Sequence, residues 1–126
     1  MNSKIGIDLV EIIKVQKLFE DREVLQETVF TPKEVCYSMR QRYPFIHVAA
    51  CFAVKEAFFK ALGTGLSGEM DWRDVEVQKE ESGKAILRVW GKTAQVAHGM
   101  GVAGYTFSMS HAGEYAVALV LLILRE

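Results

Sequence analysis

The sequence predicts an α+β fold in which an antiparallel sheet packs on one long buried helix. Three observations carry that expectation. From Phe45 to Leu62 the chain is apolar nearly all round, which places this helix in the middle of its domain. Near the N-terminus, Ile5, Ile7 and Leu9 alternate with Gly6, Asp8 and Val10, the period of a strand. Near the C-terminus, two strand-like runs meet at Ala112-Gly113-Glu114, a turn. The order strand, helices, hairpin, helix, hairpin then gives α+β.

Each element has its own local reason. Residues 4–10 form the opening strand, and Asp8 projects from the face opposite the isoleucines. Residues 11–20 carry Ile12, Val15, Leu18 and Phe19 at helical spacing, with Lys14, Lys17 and Glu20 on the other side. Thr31-Pro32-Lys33-Glu34 starts a helix that runs to about Arg40: a Thr cap, Pro at the first position and Glu at the reciprocal capping site. Pro44 opens the long helix, and Gly63 closes it as a C-cap. Asp74–Lys79 and Ala85–Trp90 form a hairpin around Ser82-Gly83, and Lys92–His98 suits a short amphipathic helix. Tyr105, Phe107, Met109 and His111 alternate with Thr106, Ser108 and Ser110 in the next strand. The closing run, Ala116 to Leu124, reads as a strand buried on both faces.

Composition bounds the function. A chain of 126 residues is expected to be one domain, 1–126, able to bury about two-thirds of its unfolded surface. A net charge of -1 argues against a nucleic-acid partner. The apolar run at the C-terminus is far short of the ~20 residues of a membrane helix. Asp8 and Glu11 interrupt the N-terminus before an export signal can develop. Cys36 and Cys51 have no zinc-like spacing. A reduced cytoplasmic protein is expected.

Glu56 and Lys60 stand four residues apart and share one face of the buried helix. An intrahelical ion pair is the plain reading. In an apolar helix that pair would be largely desolvated, and desolvation can exceed the Coulombic gain. A third, charged participant explains it better. Mg²⁺ suits the position, because it takes one or two protein carboxylates together with water and substrate phosphate. Asp8 is the natural second carboxylate, although a cap or turn role competes for it. Lys60 would place a positive charge beside a metal-bound pyrophosphate. Gly63-Thr64-Gly65 reads first as a helix stop, with Gly65 able to let a ligand approach the backbone. His111, beside Ser110 at a hairpin end, is either structural or a phosphate contact.

Three segments together resemble the holo-acyl-carrier-protein synthases, a 4'-phosphopantetheinyl transferase family. They are Ile5-Gly6-Ile7-Asp8-Leu9-Val10-Glu11-Ile12, the run Phe52-Ala53-Val54-Lys55-Glu56-Ala57-Phe58-Phe59-Lys60-Ala61-Leu62-Gly63-Thr64-Gly65, and Ser108-Met109-Ser110-His111 followed by Glu114-Tyr115-Ala116. The resemblance implies the compact transferase fold and transfer of phosphopantetheine from coenzyme A to a carrier-protein serine. It implies that Asp8 and Glu56 bind Mg²⁺, that Lys60 contacts phosphate oxygens, and that Glu56 accepts the serine proton. Gly63, Gly65, Ser110 and His111 would then lie along coenzyme A, and Lys14 would face the acidic carrier where the family commonly has arginine. A homotrimer with sites between subunits is expected on the same ground.

Two positions depart from the family. Cys51 stands where an arginine is common, which removes a cation from the nucleotide end. Gly83-Lys84-Ala85 stands where Gly-Lys-Pro is usual. Two other readings are weighed beside the transferase. One is a Mg²⁺-dependent hydrolase of nucleotide pyrophosphates; the other is a non-catalytic coenzyme A or nucleotide-binding protein.

Overall fold

One helix organises the molecule. In the computed structural model, which describes residues 2–21 and 23–126, helix α4 (Pro44–Leu62) is the element against which most others pack. Pro44 supplies the preset first turn. At the far end Gly63 takes a left-handed φ of 81°, and its N–H closes on the Phe59 and Lys60 carbonyls.

Before it come β1 (Ser3–Glu11), α1 (Ile12–Asp21), α2 (Glu23–Val29) and α3 (Pro32–Met39). After it come β2 (Val75–Lys79), β3 (Ala85–Val89), α5 (Gly91–Gly99), β4 (Val102–Ala112) and β5 (Tyr115–Leu124). A short 3-10 turn, Trp72–Asp74, leads into β2. The α3 cap forms as expected: the Thr31 N–H donates to Glu34 Oε1 at 2.9 Å, and the Glu34 N–H donates to Thr31 Oγ1 at 3.2 Å.

The main sheet is antiparallel with order β1-β5-β4, and α4 lies across one face of it. This is the α+β arrangement that the sequence predicts. The β2–β3 hairpin forms a separate two-stranded sheet. The helix Glu23–Val29 falls in a stretch where the sequence pattern gave no element of its own.

β5 requires a correction. Ala116, Ala118, Val120 and Leu122 point towards α4 and are buried, but Leu119 on the other face is 37% exposed. Beside it on β1, Ile5, Ile7 and Leu9 are each about 60% exposed. A run that is apolar at every position says both faces avoid water; it does not say that one chain covers both. Here one face is covered by α4 and the other is bare.

Gly6 decides how closely β1 approaches α4. A methyl group there would sit 2.0 Å from the Ala57 carbonyl oxygen and 2.7 Å from the Ala61 nitrogen. The strand backbone therefore rests directly on the helix backbone, possible only without a side chain. Asp8, two residues on, leaves the same face of β1 as Gly6.

Candidate active site

The close approach at Gly6 brings Asp8 against the last turns of α4. Lys60 donates to Asp8 Oδ1 at 2.7 Å and to the Ile7 carbonyl at 3.2 Å. Asp8 is nearly covered, with its side chain 11% exposed, while that of Lys60 is 53% exposed. The cluster is thus a half-open edge with a covered floor.

Glu56, one turn before Lys60, completes it. Burial holds its carboxyl above the ordinary carboxylate range, and the charge of Asp8 pushes the same way against the opposing pull of Lys60. The hydrogen bond to Asp8 is the largest influence on Lys60; it raises the ammonium's affinity for its proton, as do the charges of Asp8 and Glu56, against the opposing effect of burial. Two carboxylates and one amine therefore feel one another in a single spot.

The structure changes one element of the sequence reading. Glu56 and Lys60 are not a desolvated pair, because Lys60 turns to Asp8 and remains open to water. The desolvated pair on α4 is Lys55 with Glu34, 2.8 Å apart and both without exposed side-chain surface. Helical spacing reveals partners three or four residues away, whereas these partners lie 21 residues apart in sequence. The usable signal was Lys55 itself, flanked by Val54, Ala53 and Ala57, all buried.

Mg²⁺ fits these residues. Among the described residues no three His, Cys, Asp or Glu side chains gather as a metal cage. Mg²⁺ does not ask for one, since it commonly binds one or two carboxylates and fills its octahedron with water and phosphate. The mutual repulsion of Asp8 and Glu56 is the kind that a divalent cation relieves.

The remaining candidates lie elsewhere. Gly63 and Gly65, both at positive φ and exposed, follow directly on the end of α4. Ser110 and His111 are exposed near the end of β4. They border a cavity of about 360 Å³ shared with Arg42, His47 and Ala50. A larger groove of about 600 Å³ runs between the hairpin and β4, past Lys79, Lys84, Ser108 and Met109. β1 and β4 are opposite edges of the sheet, so Asp8 on the one and Ser110 with His111 on the other are separated by β5. Lys14 is exposed on α1, 3.6 Å from Glu11.

Cys51 is fully buried. Burial pushes its thiol pKa far up, and its Sγ lies 3.7 Å from His47 Nδ1. The same nitrogen is 2.7 Å from Ser38 Oγ, while His47 Nε2 is buried without a partner among the described residues. Burial, and after it the charge of Lys79, lowers the His47 pKa. The sequence alone gave no sign of this inward-facing network.

The chain belongs to the 4'-phosphopantetheinyl transferase superfamily, whose family model matches residues 4–120. It is 43% identical over 118 residues to the holo-[acyl-carrier-protein] synthase of Geobacter sulfurreducens, covering 93% of this chain and 94% of that protein. It is 39% identical over 116 residues to the holo-[acyl-carrier-protein] synthase of Moorella thermoacetica, covering 92% and 90%. Among solved structures, the Chronobacterium ammoniagenes ACPS–CoA complex superposes with a TM-score of 0.86 at 28% identity, and all of both chains is covered.

Proposed function

We propose that this protein transfers 4'-phosphopantetheine from coenzyme A to a serine of an apo acyl-carrier protein and releases adenosine 3',5'-bisphosphate. The observation that carries the reading is the Asp8–Glu56–Lys60 cluster, in a chain whose residues 4–120 match the 4'-phosphopantetheinyl transferase superfamily.

Asp8 and Glu56 would hold Mg²⁺, which when bound neutralises phosphate charge in the way a divalent ion does in phosphoryl transfer. The protein's own groups account for the rest. Lys60 has three N–H donors and directs two of them at Asp8 and the Ile7 carbonyl. The third remains for a phosphate oxygen. Glu56 lies one helical turn before Lys60 and is the group we assign to take the serine proton. The carrier serine oxygen bonds to the β-phosphorus of coenzyme A, its proton passes to Glu56, and the bond to the leaving bisphosphate breaks. Lys60 offsets the charge that appears on that leaving group. Catalysis of this kind rests on position and charge.

The working assembly is a homotrimer with sites between subunits. Two features support it. The outer sheet face displays Ile5, Ile7, Leu9 and Leu119 to water, the kind of patch that marks a contact surface. The acidic cluster and the β4 clefts also lie on opposite edges of the sheet, so head-to-tail association would set one copy's cluster against its neighbour's cleft. Such heterologous contacts close into a ring when the rotation between copies closes, as a three-fold does. Ser110, His111, Gly63 and Gly65 then flank coenzyme A. Lys14 and Lys17, with exposed Ile13 and Leu18 on the same helix, offer charge and apolar surface to an acidic carrier. We place the protein in the cytoplasm; no described helix is long and apolar enough to cross a membrane.

The test is incubation of the purified protein with Mg²⁺, coenzyme A and an apo carrier, read by mass spectrometry. A gain of one phosphopantetheine per carrier is expected. Bisphosphate release without carrier modification would instead indicate a hydrolase, and Mg²⁺-dependent binding with no turnover would indicate a binding protein.

A further inference from the structure

We propose that the buried Lys55–Glu34 pair is a positioning device for the transfer site: it fixes the rotation of α4 so that Glu56 and Lys60 both face Asp8. The inference rests on the transferase reading and assigns a role to residues outside the reacting groups.

The pair is fully saturated. Lys55 donates to Glu34 Oε1 at 2.8 Å, to the Trp72 carbonyl at 3.2 Å and to the Val75 carbonyl. Those three acceptors use all three protons of the ammonium. Glu34 Oε1 also accepts the Thr31 N–H at 2.9 Å, and Oε2 accepts the Val77 N–H at 2.8 Å. One side chain of α4 is thereby tied to the cap of α3, to the 3-10 turn and to β2.

Stability alone does not explain it. Neither side chain has any exposed surface, and replacing such pairs by apolar residues of similar volume is often neutral or favourable. Directional specificity does explain it. α4 is apolar nearly all round, and burial of apolar surface has no preferred direction. Its contact with β1 includes the close approach of Gly6 to the backbone of Ala57 and Ala61, which sets the spacing of strand and helix. The bonds of Lys55 are directional, and the residue immediately precedes Glu56. With side-chain tips about 5–6 Å from a helix axis, a rotation of roughly 15° moves a carboxylate about 1.5 Å. A misplacement of that order costs about 100-fold in a rate that depends on positioning.

The decisive variant is the double substitution Glu34→Gln with Lys55→Met, which removes both charges together and leaves no lone buried ion. Its melting temperature, its kcat, its KM for the carrier and its structure are measured against the native protein. The proposal expects a variant that folds at a lower melting temperature, with an unchanged carrier KM. The melting temperature drops because the Trp72 and Val75 carbonyls lose their donor and one of the Thr31 and Val77 N–H groups loses its acceptor. It expects kcat to fall 30-fold or more and the Lys60–Asp8 contact to be lengthened. Glu34→Asp, which keeps both charges and shortens one arm of the pair, is expected to lower kcat at least fivefold with the same unchanged KM. A folded double variant with native kcat overturns the proposal. So does a double variant that fails to fold, because the pair would then serve the fold itself. Native protein that modifies no carrier at all would be a failure of the transferase reading instead.

Discussion

Replacing Gly6 by alanine probes the geometry on which the site depends. The added methyl would lie 2.0 Å from the Ala57 carbonyl oxygen, 2.7 Å from the Ala61 nitrogen and 3.0 Å from the Ala57 carbonyl carbon. All three are backbone atoms of α4, so no side chain can swing aside. Ordinary contact needs about 3.5 Å, so strand and helix must part by on the order of 1.5 Å. Overpacking of this kind costs about 1–3 kcal/mol. For a chain of this size that lowers the melting temperature by roughly 3–12 °C. Asp8 moves with its strand, and the 2.7 Å bond to Lys60 is stretched or lost. The expected loss in kcat/KM is about 100-fold. Carrier-modification rates and thermal unfolding, measured on one preparation, give both numbers. A folded Gly6→Ala protein with native activity would refute the claim that close packing at this residue places Asp8.

Three further outcomes follow from the site and the surface. Glu56→Gln should abolish or cut transfer by about 10²–10⁴-fold. It should also raise the melting temperature at neutral pH without Mg²⁺. Because the native carboxyl is held above its ordinary value, the folded state keeps that proton longer than the unfolded state. Stability therefore falls as pH rises from the ordinary value through the raised one, and this loss should be missing from the glutamine variant. His47 has the opposite sign of pH dependence: its lowered pKa makes protonation favour the unfolded chain, so stability should fall as pH drops below the ordinary histidine value, and His47→Phe should flatten that slope in urea titrations. Ile7→Asp places a charge on the bare outer face; under the proposed trimer, sedimentation should report a smaller species for this variant than for the native protein, with carrier modification reduced alongside.

Much of the fold could be read from the sequence because its strongest signals are local. Pro44 and Gly63 bracket α4, and Thr31 with Glu34 builds the cap of α3 within one turn. Asp8, Glu56 and Lys60 were legible as a set through motif resemblance; the geometry joins Lys60 to Asp8, and Glu56 feels the charge of both. Who pairs with whom was not legible. Lys60 chooses Asp8, 52 residues away in sequence, because the missing side chain of Gly6 lets β1 lie on the helix. Lys55 finds Glu34 because α3, which closes over that side of α4, carries Glu34 in its capping turn. The two apolar faces of β5 looked alike in sequence, since composition records avoidance of water and not which surface provides the cover. Cys51 read as an absent cation; in the fold it is an inward-facing thiol beneath His47.

The account turns on Asp8 and Glu56 acting together on one divalent ion beside Lys60. Calorimetric titration of coenzyme A into the native protein and into Asp8→Asn, with and without Mg²⁺, tests this most directly. Binding that tightens at least tenfold with Mg²⁺ in the native protein, and does not respond to Mg²⁺ in the variant, is the expected result. Equal binding in all four titrations would contradict it.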